Sequence, residues 1–387
     1  MKIVLLANYF ADRQQSMLRF GELLRTWWLE RGADVSLLAP QSSWLTRRWS
    51  GTRESASHKW FGYLDKYVLF PSKLARELRT IPEPTRALVH VVDHSNAVYV
   101  PREFAMPWLV TCHDLLAVRG ALGEDTDCPA TALGRRLQRT IVRGLSRATA
   151  IACDSTSTLH DVERLVPPAG PLPQLRRVIY LGLNHPYRRI VSADAHARLH
   201  PIENVPWTQP FVVHVGSNLA RKNKTGVLRV FARLAADWPG NLIFCGAPLT
   251  AELRTQAAAA GLSGRVFAFP TPNNGQLEAI YNLAHALLYP SRYEGFGWPM
   301  IEAQACGCPV VCSDRTSLPE IGGDAALVHP LEDEAAMADA LRRLAEPEFR
   351  AKVTALGFAN LKRFATDRMI DAYGEVYEEI LAASTSR

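Results

Sequence analysis

The chain has 387 residues, 48% of them hydrophobic and 21% charged, with a formal net charge of +6 at pH 7. That length exceeds one ordinary core and points to about two domains. The composition is globular and excludes disordered, collagenous and disulfide-stapled classes, and no apolar run nears the roughly 20 residues that span a bilayer.

Residues 2–8 are too short an apolar run for a secretory signal and read as a first buried strand, so a cytoplasmic protein is expected. A helix over 21–31 carries Leu23, Leu24, Trp27 and Trp28 on its apolar side, and a second strand covers 34–39. This is a βαβ opening. Its first loop, 12–17, sits at the carboxyl end of a strand, where open parallel sheets bind ligands; Gln15 and Ser16 offer hydrogen-bonding groups there.

Residues 41–80 interleave Arg47, Arg48, Arg53, Lys59, Lys66 and Lys73 with Trp44, Trp49, Trp60, Tyr63 and Tyr67. Basic plus aromatic residues suit an anionic membrane interface or a lipid-diphosphate acceptor. The alternative is a long loop whose aromatics pack on the domain, since no continuous amphipathic helix is evident. Further strands are expected at 88–93, 108–112, 148–154 and 177–181. Two of them end in polar pairs, Asp93-His94 and His113-Asp114, which are either satisfied caps or functional groups. Asp125-Thr-Asp127 follows Gly120 and Gly123 and reads as a solvated loop. Arg135, Arg139 and Arg143, four apart on a helix over 133–146, read as a solvated face.

Prolines 201, 206 and 210 place an interdomain linker over 186–210. The expected domains are therefore 1–188 and 206–365, with a last helix from 366. The second domain restarts with a strand over 211–216, then a basic cluster holding Arg221, Lys222 and Lys224, then a helix over 225–237. Cations oppose the dipole at a helix start, so a ligand is the better reason for the cluster. Strands at 241–246, 265–269, 286–289 and 309–312 alternate with helices at 250–260, 276–284, 333–346 and 348–364. Cys112, Cys153, Cys245 and Cys312 fall in strand-like runs as small hydrophobes. Cys306-Gly-Cys308 lacks a second pair and a nearby histidine, so no metal site is expected.

The most informative stretch is Tyr289-Pro-Ser-Arg-Tyr-Glu-Gly-Phe-Gly-Trp-Pro-Met-Ile-Glu302. A strand end runs into a loop with Gly295 and Gly297, then into a helix with Pro299 at its first position, stopped by Gly307. A helix start behind a glycine loop presents unpaired N–H groups to a phosphate. Glu294 in the loop and Glu302 in the first helical turn are carboxylates that can accept from sugar hydroxyls.

This block, continued by Cys306-Gly-Cys-Pro-Val-Val-Cys-Ser-Asp314, Leu318-Pro-Glu320 and Gly323-Asp-Ala-Ala326, resembles the E-x7-E signature of the retaining sugar-nucleotide glycosyltransferases of family 4 (group 1). The resemblance runs more weakly along the whole chain. It implies an α/β GT-B fold, two Rossmann-like doubly wound parallel-sheet domains facing a cleft, and a last helix that returns to the first domain. It implies donor contacts from Ser16, Gly216, Arg221, Lys222, Glu294, Gly295, Phe296, Gly297, Met300 and Glu302. His113, in a motif resembling the family's strand-end histidine, would face the donor sugar as a catalytic residue beside Glu294, and Asp114 would lie on the acceptor side. The chain departs from the family in lacking glycines in its first loop and in placing Ser217 where an arginine is usual.

The resulting expectation is a metal-independent, cofactor-free hexosyltransferase. Its donor would be a nucleotide-diphosphate sugar, GDP-mannose ahead of UDP-glucose, and its acceptor a glycan or lipid-linked glycan of bacterial surface polysaccharide assembly. Peripheral membrane contact is expected through 41–80, and no nucleic-acid partner, since no such motif is present. A sugar-nucleotide epimerase of the same fold, or a non-catalytic nucleotide- or carbohydrate-binding protein, is the alternative. A dehydrogenase is disfavoured because no Gly-x-Gly-x-x-Gly comes after Asn8.

Overall fold

The apolar runs become parallel strands, six to a sheet, in two sheets. The computed structural model describes residues 1–12, 14–44, 46, 56–81, 86–101, 104, 106–169, 173–200, 202 and 204–385. Met1–Tyr180 and Asp367–Arg387 form one unit and Leu181–Thr366 the other.

The first sheet contains β1 (Lys2–Leu6), β2 (Asp34–Leu38), β3 (Ala87–Val91), β4 (Trp108–Cys112), β5 (Ala150–Cys153) and β6 (Leu175–Val178), in the order β2-β1-β3-β4-β5-β6. β3, β4 and β5 are buried along their whole length, as strands covered on both faces must be, which is why they read as largely apolar runs, broken only by His90 in β3 and Thr111 in β4. The helix Thr366–Thr385 belongs to this unit. Its Tyr377 stacks on Trp28 at 5.1 Å and its hydroxyl lies 2.6 Å from His90 Nδ1; the Tyr373 hydroxyl lies 2.8 Å from Thr111 Oγ1.

The second sheet contains β7 (Phe211–Val215), β8 (Asn241–Cys245), β9 (Val266–Phe269), β10 (Ala286–Tyr289), β11 (Val310–Ser313) and β12 (Ala326–His329), in the order β12-β11-β10-β7-β8-β9. In each sheet the winding reverses once, between β1 and β3 and between β7 and β10. Carboxyl ends of strands at such a reversal leave a crevice where ligands bind.

Several expectations change. The presumed linker is part of the second unit, which begins at Leu181 rather than 206. Tyr187, Ala195, Leu199, Val205 and Trp207 join Phe211 and Ile280 in its core. The helix Ser192–Leu199 buries only Ala195 and Leu199, too few positions to show a period in sequence. The first helix starts at Gln15, not 21, which shortens the loop after β1. β12 went unread because its four residues are only half-buried at the sheet edge.

Within the stretch 41–80, residues 56–79 are helical rather than part of a long loop. Helix Ala56–Leu64 passes through a π-helical turn, Asp65–Leu69, into helix Phe70–Arg79, which buries Phe70, Leu74 and Leu78. Asp65 is buried because it accepts hydrogen bonds from the Tyr9 hydroxyl (2.9 Å), the Thr46 hydroxyl (2.6 Å) and the Ser43 amide (3.2 Å). Trp60, Val68 and Leu69 stay exposed. Arg47, Arg48, Trp49, Arg53 and the Lys59 side chain lie outside the described residues. The seven cysteines are free, six of them buried. Among the described residues no helix is long and apolar enough to cross a membrane.

Candidate functional site

In the second unit the reversal point brings together the exits of β7 and β10, paired in register at Val213 and Leu287. After β7 the chain turns through Ala220–Lys222 and starts helix Lys224–Leu234. After β10 it runs through the glycine loop into helix Trp298–Ala305. Asn223 ties the two loops. Its left-handed backbone (φ 51°) lets its side chain accept from the Gly226 amide, capping the helix, while Nδ2 donates to Pro290 O at 3.0 Å.

Glu294 is the hub. One carboxylate oxygen accepts from Lys222 Nζ (2.6 Å) and the Tyr289 hydroxyl (2.9 Å), the other from Arg221 Nη1 (2.7 Å). Glu294 is 6% exposed and Lys222 9%. Burial alone would raise the Glu294 pKa, but the two cations outweigh it and hold the carboxyl at about 2. Two cations against one carboxylate leave the cluster with a net positive charge. Gly216 makes room for the lysine: a Cβ there would stand 3.3 Å from Lys222 Cγ and Cδ.

The backbone of Glu294 is pinned as well. The Thr316 hydroxyl accepts from the Glu294 amide at 3.0 Å and lies 2.9 Å from its carbonyl; the Ser317 hydroxyl bridges the carbonyls of Glu294 and Phe296. Thr316 does this from a left-handed backbone, φ 51°, which a β-branched residue adopts only under strain.

Helix Trp298–Ala305 starts from Gly297 at φ 115°, with no side chain capping it. A Cβ at Gly297 would meet Leu318 Cδ2 at 3.2 Å. Pro299 is therefore the second helical residue, and Glu302 the fifth. Glu302 stands one residue further into the helix than expected, because the helix begins at Trp298. It is 4% exposed and accepts from the Tyr281 hydroxyl (3.0 Å) and Asn184 Nδ2 (3.2 Å). Phe296 packs edge-on against Phe364 and Met300 is fully buried, with its amide bonded to Gly297 O. These two residues bring no side-chain polarity to this loop. Gly295 lies in the loop between them and Glu294.

Ser16, His113 and Asp114 belong to the first unit. Ser16 is exposed in the first turn of helix Gln15–Glu30. Asp114 Oδ1 accepts from the Leu116 amide at 3.0 Å. His113 is 7% exposed, with Nδ1 2.5 Å from Asp154 Oδ2 and Nε2 2.8 Å from Val92 O. Both partners are acceptors, so both ring nitrogens donate and the ring is an imidazolium. Burial works against that charge, but Asp154 and Asp93 override it and raise the pKa to about 9. The first unit's own reversal point is filled: Asn8, after β1, donates to Asp93, after β3, at 2.5 Å and accepts from Asn96 at 3.1 Å.

Sequence reasoning passed over Tyr289, Thr316, Ser317, Tyr281 and Asn184. Thr316 and Ser317 had a readable signal, since they come just after β11, the strand beside β10, and so emerge next to its loop. Asn184 had none, lying in a stretch read as linker.

Residues 197–356 match the family model "Glycosyl transferases group 1". O-antigen chain mannosyltransferase B of Escherichia coli is 46% identical over 102 residues, 25% of this chain and 27% of that protein. The chain spans less than two thirds of the length of the first curated relatives it matches. Among solved structures, sucrose-phosphate synthase from Thermosynechococcus elongatus superposes with a TM-score of 0.78 at 21% identity, covering 99% of this chain and 100% of that one. Anabaena HepE in complex with UDP-glucose gives 0.69 at 15% identity, covering 98% and 100%. These neighbours are GT-B glycosyltransferases, and the two parallel six-stranded sheets share their fold.

Proposed function

We propose that the chain, whose residues 197–356 match the group 1 glycosyltransferase model, is a retaining, metal-independent hexosyltransferase. It moves a hexose from a nucleotide-diphosphate sugar to a glycan or lipid-linked acceptor of bacterial surface polysaccharide assembly. GDP-mannose is the favoured donor, in keeping with the mannosyltransferase named among the relatives. UDP-glucose, bound by Anabaena HepE, is the second.

The observation that carries this reading is the Lys222–Glu294–Arg221 cluster at the reversal point of the second sheet. A net positive cluster beside an uncapped helix start suits a diphosphate, whose charge grows as it leaves. In the proposed step the bond between the sugar's anomeric carbon and the diphosphate oxygen breaks. The acceptor oxygen bonds that carbon on the same face, and the acceptor's proton passes to a diphosphate oxygen. Lys222 and Arg221 balance the departing charge in place of a divalent metal. Glu294 receives sugar hydroxyls, held by Tyr289 and Thr316, and Glu302 takes the ribose hydroxyls. By resemblance to the family, His113 is assigned a catalytic role, for which its imidazolium is a hydrogen-bond donor, and Asp114 an acceptor-side role. Gly216, Gly295 and Gly297 shape the backbone, Phe296 contributes its amide, Met300 packs behind the loop with its own amide on Gly297 O, and Ser16 is assigned a donor-binding hydroxyl by resemblance to the family. The exposed Trp60, Val68 and Leu69 support peripheral contact with the inner face of a membrane.

The test is release of nucleoside diphosphate from a panel of nucleotide sugars, with an oligosaccharide-lipid fraction as acceptor and EDTA present. One donor is expected to turn over with EDTA, and Glu294→Ala to lose about 10²-fold. Turnover restored only by a divalent ion, or an undiminished Glu294→Ala, contradicts the proposal.

A further inference from the structure

A groove of about 1680 Å³ lies wholly within the first unit. One wall is the helix Ala132–Leu145, which approaches the turn His94–Tyr99 closely. A Cβ at Gly144 would stand 2.9 Å from Ala97 O, so glycine sets that approach. Arg136, Arg139 and Arg143 line the groove from this helix. Their spacing of three and four residues puts the guanidinium groups on one face, about one turn apart.

Two other arginines in the groove are already engaged. Arg147 donates to Val100 O and Pro101 O, and Arg135 to Ala130 O. Arg136, Arg139 and Arg143 are exposed, and among the described residues no carboxylate pairs with them. Three like charges on adjacent turns repel one another. A stripe that served only for solubility would be interspersed with acids, and this one is not.

The other walls are largely apolar. Pro71 and Ala75 come from helix Phe70–Arg79, Val98 and Pro101 from the turn after β3, and Pro167 and Pro168 from the approach to β6. The exposed Val68 extends the apolar side one turn further, where the Ser72 hydroxyl donates to its carbonyl.

We infer that this groove binds an amphiphile that carries a phosphate or diphosphate head on an apolar chain. The guanidinium stripe takes the phosphate oxygens, and the proline-rich walls take the first carbons of the chain. The site is separate from the Lys222–Glu294 cluster, and the inference stands whether or not the chain transfers sugar.

The test is calorimetric titration of the full chain with farnesyl phosphate, with inorganic phosphate as the head alone and farnesol as the tail alone. Farnesyl phosphate is expected to bind at least about tenfold more tightly than either part, with affinity falling as salt rises. The triple variant R136Q/R139Q/R143Q is expected to lose about tenfold or more. The variant R136K/R139K/R143K, which keeps the charge without the fork, is expected to fall between them. An unchanged melting temperature of the triple variant keeps a lost fold from passing as a lost site. Equal affinity for inorganic phosphate and farnesyl phosphate overturns the lipid assignment. Wild-type affinity in the triple variant, or no binding of farnesyl phosphate by the wild type, overturns the site.

Discussion

Replacing Lys222 with methionine tests the cluster on two scales at once. The substitution keeps the length and apolar stem but removes the ammonium that donates to Glu294 at 2.6 Å and to the Tyr289 hydroxyl at 2.8 Å. Lys222 and Glu294 are 11% and 7% exposed along their side chains, so solvent cannot replace what is lost. Removing one partner of a buried pair costs ~3–5 kcal/mol. Arg221, still 2.7 Å from the other oxygen, puts the expected loss near ~3 kcal/mol. Stability also becomes pH-dependent. The Glu294 carboxyl is held at about 2 against an ordinary 4.5, so its stabilisation is present above pH 4.5 and is lost as pH falls toward 2. In Lys222→Met that loss begins at higher pH. Turnover is expected to fall ~10²-fold, because the same ammonium is assigned to the leaving diphosphate. The double variant Lys222→Met/Glu294→Gln removes both charges, so it is expected to regain most of the stability and none of the turnover. Urea denaturation and initial rates of nucleotide release separate the two. A Lys222→Met stability within ~0.5 kcal/mol of wild type would mean a solvated surface pair and refute the reasoning. So would a double variant that recovers turnover.

Thr316→Ala removes the hydroxyl that holds both backbone atoms of Glu294, and is expected to cost ~1–2 kcal/mol and to lower kcat more than it raises KM. Steady-state kinetics with the best donor check the split, and an unchanged kcat would assign Thr316 to the fold alone. His113, raised to about 9 from 6.5, contributes stability that is fully present below pH 6.5 and lost as pH rises through 9. That contribution has an upper limit of roughly 3 kcal/mol. Asp154→Asn is expected to flatten the dependence between those limits, measured as melting temperature against pH; an unaltered profile would place the imidazolium's support elsewhere.

The parallel sheets were legible because β3, β4, β5, β7, β8 and β10 are buried enough to leave mostly apolar runs between turn signals. Glu294, Lys222 and Gly297 were legible because a glycine loop between a strand and a helix restricts which residue types fit beside it. Their mutual bonding was not. It depends on β10 pairing with β7, strands more than 70 residues apart, and sequence spacing carries no record of that register. The linker failed for a different reason: the packing of Tyr187, Val205 and Trp207 has no period, so burial there is a tertiary fact. Residues 56–79 failed because the π-helical turn at Asp65–Leu69 breaks the helical period between its two flanking helices. The imidazolium of His113 depends on Asp154 from the neighbouring strand and on Val92 O, neither of which a motif names.

The most direct measurement is hydrogen–deuterium exchange of the full chain with and without saturating GDP or UDP. Protection is expected at the amides of Gly295–Trp298 and in the turn Ala220–Lys222, and it should vanish in Glu294→Ala/Lys222→Met. Protection confined to other strand ends, with these two loops exchanging as in the free protein, would contradict a diphosphate site at this point of the fold.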